Sequence, residues 1–397
     1  MRKRILFVDD EPMVLSGLER SLRTMRKEWD MHFVPGGQEA LEAMARAPFD
    51  VVITDMRMPG IDGAQLLELV RGQFSQTVRM VLSGQSDRDA VFRSTKPTHQ
   101  YFSKPCDIEE LKKKLTRALT LRDVLDNPKL IELVSQMETV PSLPSLCQSL
   151  RSLLQSPNPS MAAVAEVVAQ DPGMTAKLLQ LVNSAFLGMA SHQSNPGSAV
   201  SVIGIDNLRA LMSLGLYSEV AAPLVGKLES LWTHSRTTAV FARAIAKSEG
   251  VSENMIQDSF TAGLLHDIGQ VVLASLCSDE YEEVVRCAEA KGISLVASEY
   301  RTLGSSHAQV GAYLLGLWGL PDSIVEAVAW HHEPVQAHPR SFGPLIAVHF
   351  ADFCGRRIQP SPTCRVKDSV IDMPLLAGLG LQGRLTVWEK ICREVEA

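Results

Sequence analysis

The stretch Val51-Val52-Ile53-Thr54-Asp55-Met56-Arg57-Met58-Pro59-Gly60 decides the fold of the first part of the chain. A short apolar run ends there at a carboxylate, and the chain then turns at Pro59-Gly60. The run Val51–Ile53 predicts a strand that is buried on both faces, as in a parallel sheet. A carboxylate directly after such a strand lies where open α/β sheets bind ligands. Our hypothesis is therefore that Asp55 is a phosphoacceptor.

Four further apolar runs lie on either side of this strand and alternate with amphipathic stretches. They are Ile5–Val8, Met31–Val34, Met80–Gly84 and Gln100–Pro105. Strands that alternate with helices predict a doubly wound parallel sheet. The first part of the chain is therefore predicted to be a five-stranded, flavodoxin-like α/β domain.

Polar side chains stand at the ends of four of the five predicted strands. They are Asp9, Asp10, Asp55, Ser83 and Lys104. Because the carboxyl ends of parallel strands share one edge of the sheet, we expect these groups to meet. Carboxylates suit Mg²⁺, while a hydroxyl and an ammonium can contact phosphoryl oxygens. A single Asp after a strand is more often a helix cap or a turn residue, but the whole set predicts a phosphoryl-transfer site.

This pattern resembles the receiver domain of bacterial two-component response regulators over residues 3–120. The resemblance implies that Asp55 accepts a phosphoryl group from a sensor histidine kinase. It also implies a Mg²⁺ site, whose ligands would be Asp9, Asp10, Asp55 and the backbone carbonyl of Arg57.

The same resemblance implies roles for three further residues. Ser83 and Tyr101 would form a switch pair, in which the aromatic ring turns inward when Ser83 moves toward the phosphoryl group. Lys104 would contact the phosphoryl group, and we predict that its peptide bond to Pro105 is cis. The sequence departs from the family at Cys106, where an aromatic residue is expected.

A helix is predicted from Ile108, because apolar residues recur there at steps of three and four as far as Leu125. Two interpretations remain open. The helix either runs on and pairs with a second copy as a short coiled coil, or it is simply the last amphipathic helix of the first domain. We predict a receiver domain over 1–122, a helical linker over 123–135, a helical output domain over 136–335 and its C-terminal extension over 336–397.

Beyond residue 140 the sequence predicts helices only. They are Leu143–Leu154, Met161–Ala169, Thr175–Ser184, Ser198–Leu216, Leu231–Gly250, Ser259–Leu276, Glu280–Ala290, Leu295–Leu303, Ser305–Leu317, Ser323–His331, a helix that carries Asp352, and Leu385–Val395. The second part is therefore predicted to be an all-α, HD-like domain.

Histidine is concentrated in this helical part, since seven of the ten lie between residues 234 and 349. Those on separate predicted helices are His234, His266, His307 and His331. A single helical histidine is more often a core or capping residue. Helices that each bring a ligand inward nevertheless commonly build a metal site, and imidazole with carboxylate suits Fe, Mn, Zn or Ni.

This region is similar to the HD superfamily of metal-dependent phosphohydrolases, whose His-Asp motif corresponds to Gly263–Gly269. The ligands that the resemblance implies are His234, His266, Asp267, His307, His331, His332 and Asp352. His349, on the same helix face as Asp352, is an alternative ligand. The cyclic-di-GMP phosphodiesterase branch has a lysine where this chain has Gln270, and a glutamate where this chain has Ser230. Loss of a lysine that contacts phosphate removes charge stabilisation of the reaction.

The HDOD branch of that superfamily, generally regarded as non-hydrolytic, is the closer resemblance. Its motifs correspond to Pro141–Pro144, Asp171-Pro172, Leu181–Ala185, Ser201–Gly204, Gly304–Trp318 and Trp330–Pro334. The preferred hypothesis is a response regulator whose helical domain passes the signal to downstream signalling proteins through protein contacts. The alternative is a phosphorylation-controlled, metal-dependent phosphodiesterase that acts on a cyclic nucleotide or dinucleotide.

Charge and composition restrict the other functions. Residues 1–122 carry 20 Lys+Arg against 17 Asp+Glu, and the remainder carries 19 against 28. An acidic second part matches a phosphate backbone poorly, so direct DNA binding is not expected. No apolar run reaches the ~18–20 residues of a membrane span. Seven cysteines without a Cys-x-x-Cys pair favour the reduced thiols of a cytoplasmic protein.

Overall fold

The computed structural model describes residues 2–84, 97–125, 127–183, 193–213, 215, 217–358 and 370–396. The chain forms two compact units, one mainly of residues up to Glu138 and the other mainly of residues from Thr139 onward. Within the described ranges, no helix combines the length and the apolar character that crossing a lipid bilayer requires.

The first unit contains a sheet in which every strand pairing is parallel. Its strands are Lys3–Val8 (β1), Trp29–Val34 (β2), Val51–Asp55 (β3), Val78–Ser83 (β4) and Gln100–Ser103 (β5). The strand order is β2-β1-β3-β4-β5, so β3 is central and all of its residues are buried. The structure thus confirms the predicted five-stranded parallel sheet.

Helices connect and follow these strands. They are Pro12–Ser21 (α1), Gly37–Arg46 (α2), Gly63–Gln73 (α3), Ile108–Val124 (α4) and Pro128–Ser135 (α5), with a short 3₁₀ helix at Arg23–Lys27. Helix α3 begins with a capping box, because Asp62 accepts from the Gln65 amide at 2.8 Å and the Gln65 side chain accepts from the Asp62 amide at 3.1 Å. That cap fixes the turn directly after β3.

The apolar stripe of α4 is buried within the chain itself. Leu111, Leu115 and Ala118 are each 0% exposed, and Leu119 is 4% exposed. The helix ends at Val124, and α5 begins after the side chain of Asn127 caps its first amides. A homodimer through this helix stays a prediction.

The second unit is helical, as predicted. Its helices are Pro144–Gln155 (α6), Met161–Val168 (α7), Pro172–Val182 (α8), Pro196–Ile203 (α9), Ile205–Ser213 (α10), Ala222–Ser248 (α11), Glu253–Leu265 (α12), Ile268–Leu276 (α13), Ser278–Lys291 (α14), Leu295–Leu303 (α15), His307–Leu317 (α16), Asp322–Trp330 (α17), Pro344–Ile358 (α18), Met373–Gly378 (α19) and Leu385–Glu396 (α20), with 3₁₀ turns at Pro334–Ala337 and Gln382–Arg384. The helix ends predicted at Ser184 and Leu216 lie outside the described residues.

Two predicted helices are each divided in two. The prediction of one helix from Ser198 was wrong, because α9 ends at Gly204, whose φ of +77° favours glycine. The prediction of one helix over Ser259–Leu276 was also wrong, because the chain leaves helical geometry at Asp267 (φ −99°, ψ 11°). Apolar residues continue on both sides of each break, so periodicity alone did not reveal the breaks.

Candidate functional site

Three charged side chains meet at the carboxyl edge of the sheet. The ammonium of Lys104, directly after β5, donates to Asp9 Oδ2 at 2.8 Å and also forms an ion pair with Asp55 Oδ1. Backbone amides hold the other carboxylate oxygens, because Glu11 N donates to Asp9 at 3.0 Å and Arg57 N donates to Asp55 at 2.9 Å. The peptide bond that follows Lys104 is cis, as predicted.

Burial shapes the electrostatics of this edge. Asp55 is 7% exposed, and its burial raises the pKa of its carboxyl although Lys104 acts in the opposite direction. Burial would lower the pKa of Lys104, but Asp55 and Asp9 together outweigh burial and raise it. One ammonium therefore balances two carboxylates, while Asp10 beside them is exposed.

The predicted switch residues lie on β4, which pairs with the strand of Asp55, and on β5, which pairs with β4. Ser83 ends β4, is 4% exposed, and donates from Oγ to the Gly84 carbonyl at 3.3 Å. Tyr101 on β5 is 1% exposed and pairs in register with Val81, two residues before Ser83. Their switching roles stay a prediction, and residues 85–96, which follow β4, lie outside the described residues.

The amino ends of the same two strands contact helix α5. Arg79 near the start of β4 is 1% exposed, and its guanidinium donates to the carbonyl of Ser135, the last residue of α5, at 2.5 Å. His99 before β5 accepts from Arg79 N at 3.0 Å through Nδ1, so its Nε2 donates to the same carbonyl at 2.9 Å. These donors satisfy the carboxyl end of the helix. We did not identify them from the sequence.

In the second unit, residues from five segments form a cluster around Asp267. They are His234 within α11, His266 and Asp267 in the turn between α12 and α13, His307 at the start of α16, His331 and His332 after α17, and Asp352 within α18. The glycine of the His-Asp motif permits this approach, since a Cβ at Gly269 would lie 1.9 Å from the His307 carbonyl oxygen. The structure thus brings the predicted ligands together.

The two oxygens of Asp267 face two different groups of ligand atoms. We call His234, His266 and Asp267 the His234 group, and Asp267, His307, His331 and His332 the His332 group. Within each group the ligand atoms lie within 4.8 Å of one another. Asp267 Oδ2 lies 3.2 Å from His266 Nε2, whereas Oδ1 lies 3.0 Å from His307 Nε2. His332 Nε2 is 3.0 Å from His307 Nε2.

Neighbouring acceptors orient the imidazole rings. His266 Nδ1 donates to the Gly263 carbonyl at 2.8 Å, and His331 Nδ1 donates to the Val328 carbonyl at 2.9 Å. The Nε2 atom of each ring therefore points toward Asp267. Such contacts fix the tautomer of a ligating histidine.

Glu299 orients His307 and was missing from our sequence analysis. It is 0% exposed, and its carboxylate accepts from His307 Nδ1 at 2.8 Å and from the His307 amide at 2.9 Å. Burial would lower the pKa of His307, but Glu299 and Asp267 on its two ring nitrogens raise it to about 10. A lone glutamate among the buried residues of α15 was the available signal.

His349 supports the site but does not join it, which corrects the suggestion that it is an alternative ligand. Its Nδ1 donates to the His331 carbonyl at 2.7 Å, and its Nε2 accepts from the Asp372 amide at 3.2 Å. Both ring nitrogens are thus used by the backbone.

Arg356 is a second residue that our sequence analysis missed. It lies one turn after Asp352 on α18 and is 1% exposed. Its Nε donates to Asp352 Oδ1 at 2.7 Å, and its Nη2 lies 3.5 Å from Asp267 Oδ2. The same Asp352 oxygen lies 2.8 Å from His234 Nε2. The Asp-Arg pair at positions i and i+4 of an apolar helix was the sequence signal.

These charges shift the pKa values within the cluster. Burial by itself would raise the pKa of Asp267, but His266 and His307 outweigh burial and hold this pKa well below its ordinary value. Asp267 and Asp352 in turn outweigh burial at His266 and raise its pKa to about 9. Burial and the neighbouring His266 lower the pKa of His331 to about 3.

The donor set fits a divalent metal ion. Four buried atoms, His266 Nε2, His331 Nε2 and both oxygens of Asp267, have no partner in good hydrogen-bond geometry within the described part of the chain, although imidazole nitrogens lie 3.0 Å and 3.2 Å from the two oxygens. Buried polar atoms normally have partners. Imidazole nitrogens and a carboxylate suit Fe, Mn or Zn, so each group has the chemistry of a metal ligand set.

Family models agree with the two units. The response regulator receiver domain matches residues 5–116. The sheet and its charged edge are thus those of a response regulator receiver domain. The HDOD domain matches residues 140–334. The chain therefore contains a receiver domain followed by an HDOD domain, which confirms both resemblances.

Similar proteins cover parts of the chain. An uncharacterized protein of Treponema pallidum is 27% identical over 221 residues, 55% of this chain and 43% of that protein. The response regulator protein PilR of Pseudomonas aeruginosa is 32% identical over 123 residues, 31% of this chain and 27% of PilR. The chain therefore spans less than half the length of these relatives. The MmoQ response regulator of Methylococcus capsulatus is 22% identical with a TM-score of 0.46, covering 63% of this chain and 98% of that one.

Proposed function

We propose that the chain is a switch in which Asp55 accepts a phosphoryl group from a sensor histidine kinase. The observation that carries this proposal is the meeting of Asp9, Asp55 and Lys104 at one edge of the sheet. Receiver domains as a class are phosphorylated by such kinases. Positioning and charge neutralisation are most of what phosphoryl transfer requires.

A Mg²⁺ ion fits this edge. The proposed ligands are Asp9, Asp10, Asp55 and the backbone carbonyl of Arg57, all hard oxygen donors. The exposure of Asp10 leaves room for the water ligands that Mg²⁺ usually retains. When bound, the ion supplies positive charge for the phosphoryl oxygens.

Phosphorylation would change the contacts of Lys104 and Ser83. A phosphoryl group adds roughly two negative charges and three acceptor oxygens. Lys104 already contacts Asp55, so its ammonium can pair with one of those oxygens. Ser83 Oγ donates to Gly84 at 3.3 Å, a long hydrogen bond that a phosphoryl oxygen can replace. Tyr101 on the next strand would respond to the movement of Ser83.

We propose that strands β4 and β5 carry this change to helix α5. Ser83 is the last residue of β4 and Tyr101 is the second residue of β5. Arg79 and His99, near the amino ends of these strands, bind the Ser135 carbonyl. Moving a switch from mostly off to mostly on requires a differential interaction of about 5.5 kcal/mol. The HDOD domain would then present a changed surface to downstream signalling proteins.

Labelling with a small phosphodonor tests the phosphoacceptor. The full chain is incubated with acetyl phosphate and Mg²⁺, and intact mass and peptide mapping locate the added group. The expected result is one phosphoryl group on Asp55, absent in Asp55→Asn. The matched control is Asp62→Asn, because asparagine retains the helix cap at that exposed position. Equal labelling of Asp55→Asn would contradict the proposal.

A metal centre in the HDOD domain is a second candidate function. It is supported by the buried atoms of His266, His331 and Asp267 that lack a partner in good hydrogen-bond geometry among the described residues. Fe or Mn would suit these ligands. Metal analysis of chain purified without added metal tests the centre, and His331→Ala should lower the metal content. An unchanged content in that variant would contradict the candidate.

Hydrolysis of a cyclic nucleotide or dinucleotide has less support. Gln270 replaces the lysine of the phosphodiesterase branch, and its Oε1 accepts from the Tyr281 hydroxyl at 3.3 Å. An amide in that contact supplies no positive charge for a phosphate. The proposed output is therefore contact with protein partners.

A further inference from the structure

Arg356 lies between the two carboxylates of the histidine cluster. We propose that its guanidinium is the built-in cation of the His234 group, where it takes the place of a metal ion. Its Nε is 2.7 Å from Asp352 Oδ1 and its Nη2 is 3.5 Å from Asp267 Oδ2. This inference does not depend on phosphorylation of Asp55.

The two carboxylates need a nearby positive charge because they are buried. Asp267 is 0% exposed and Asp352 is 3% exposed. An unpaired buried carboxylate is strongly unfavourable. A guanidinium remains protonated in proteins, and its planar fork can reach two acceptors at once. Arg356 is 1% exposed, so its charge acts inside the cluster.

The same contacts oppose a metal ion in the His234 group. A metal there would bind Asp267 Oδ2 and the His234 and His266 nitrogens at about 2.0–2.2 Å. Asp352 Oδ1, 2.8 Å from His234 Nε2, already accepts from Arg356. A divalent ion at that place would lie beside a guanidinium in a buried environment, where like charges repel strongly.

The other side of Asp267 has a different environment. Its Oδ1 faces His307 Nε2 at 3.0 Å and His331 Nε2 at 3.8 Å. His332 completes this set and is only partly buried. The His332 group therefore offers three imidazoles, one carboxylate oxygen and access from the surface. The inference rests on the proposed metal centre for this group only.

Metal stoichiometry tests the role of Arg356. The full chain is stripped with a chelator and titrated with Mn²⁺ in the presence of excess Mg²⁺, which occupies the oxygen ligands of the receiver domain. Retained Mn²⁺ is measured after gel filtration. We expect one Mn²⁺ per wild-type chain and one more in Arg356→Met, which keeps the side-chain length but removes the charge. The control is Arg357→Met. Arg357 is the next residue along the chain, but it is exposed, and its guanidinium lies over the Phe353 ring at 5.1 Å and not between the two carboxylates. The control should bind as many ions as the wild type.

Two further variants are informative: one locates the gained ion, and the other keeps the positive charge at position 356. Adding His234→Ala to Arg356→Met should abolish the gained ion, and Arg356→Lys should gain none. Thermal unfolding provides a second readout, because an ion that binds only the folded state raises Tm. Mn²⁺ should therefore raise Tm more in Arg356→Met than in the wild type, even if the variant is unstable without metal.

The outcomes separate this inference from the metal centre. Equal stoichiometry in Arg356→Met and the wild type would overturn the role of Arg356, and so would two ions in the wild type. A wild type that binds none, with one ion in Arg356→Met, would support Arg356 and contradict the metal centre of the His332 group.

Discussion

Lys104 Nζ lies 2.8 Å from Asp9 Oδ2, although these residues follow strands β5 and β1 and strands β3 and β4 lie between them. The side chain thus reaches across the carboxyl edge of the sheet and passes Asp55, with which it forms an ion pair. A charge added to Asp55 therefore acts first on the ammonium of Lys104.

Removing this ammonium should destabilise the receiver domain. In Lys104→Met the buried carboxylates of Asp9 and Asp55 lose their counter-charge. We expect the free energy of unfolding to fall by about 1–2 kcal/mol, allowing for the partial exposure of Lys104. Mg²⁺ should restore more stability to this variant than it adds to the wild type. Urea unfolding with and without Mg²⁺ measures both effects, and Lys27→Met, at an exposed position, is the control. Equal Mg²⁺ responses would contradict the prediction.

Removing the guanidinium of Arg79 should loosen helix α5. Arg79→Met removes the donor that lies 2.5 Å from the Ser135 carbonyl, which keeps the His99 donor, and the donor that lies 2.6 Å from the Pro97 carbonyl. We expect faster amide exchange in Pro128–Ser135 and a loss of about 2–4 kcal/mol of stability. Hydrogen exchange with mass spectrometry measures the first effect. Arg46→Met is the control, because Arg46 has a side-chain exposure of 80%. Unchanged exchange in Arg79→Met would argue against the anchor.

Gly269→Ala should disturb the histidine cluster. The added Cβ would lie 1.9 Å from the His307 carbonyl oxygen, so α13 and the start of α16 must move apart. We expect a loss of about 1–3 kcal/mol and a lower metal content. In the control Gly226→Ala the new Cβ has no neighbour within 4 Å, so a gain of about 0.5–1 kcal/mol is expected within that helix. Similar thermal melts for the two variants would contradict this.

Asp171→Ala should destabilise the HDOD domain severely. Asp171 is 0% exposed. The groups that donate to its carboxylate are Ser142 Oγ at 2.8 Å, Leu143 N at 3.2 Å, Met174 N at 2.8 Å and Trp232 Nε1 at 2.9 Å. Alanine leaves these buried donors without an acceptor, at a cost of about 3–5 kcal/mol.

Chemical denaturation measures this effect. The control is Asp206→Ala, since Asp206 has a side-chain exposure of 94% and pairs with Arg209 one turn away. That surface pair should contribute less than about 1 kcal/mol. A comparable loss in both variants would show that the Asp171 hydrogen bonds are not what holds the segments together.

The receiver sheet is readable from the sequence because its strands are short apolar runs with polar groups at their ends. Val51–Ile53 is buried on both faces, and the position of Asp55 follows from that register. In the second unit, His266 and Asp267 could be grouped with His307 through their motif. A site residue can thus be predicted from the sequence when its own side chain has the required chemistry and a regular strand or a known motif determines its position.

Contacts between distant segments were not readable in this way. The amide of Arg79 meets His99, and Glu299 meets His307, only because separate elements pack together. Arg356 has an ordinary surface residue type, and its spacing of four residues from Asp352 is equally typical of an exposed ion pair, although the residue is 1% exposed. The breaks at Gly204 and Asp267 depend on tertiary packing, which overrides a continuous apolar pattern.

Amide exchange in helix α5, measured before and after phosphorylation, tests the central claim most directly. The full chain and its Asp55→Asn variant are treated with acetyl phosphate and Mg²⁺, and exchange in Pro128–Ser135 is followed by mass spectrometry. The account predicts altered exchange in the wild type alone, in proportion to the phosphorylated fraction. A fully phosphorylated wild type whose α5 exchanges as before would contradict it.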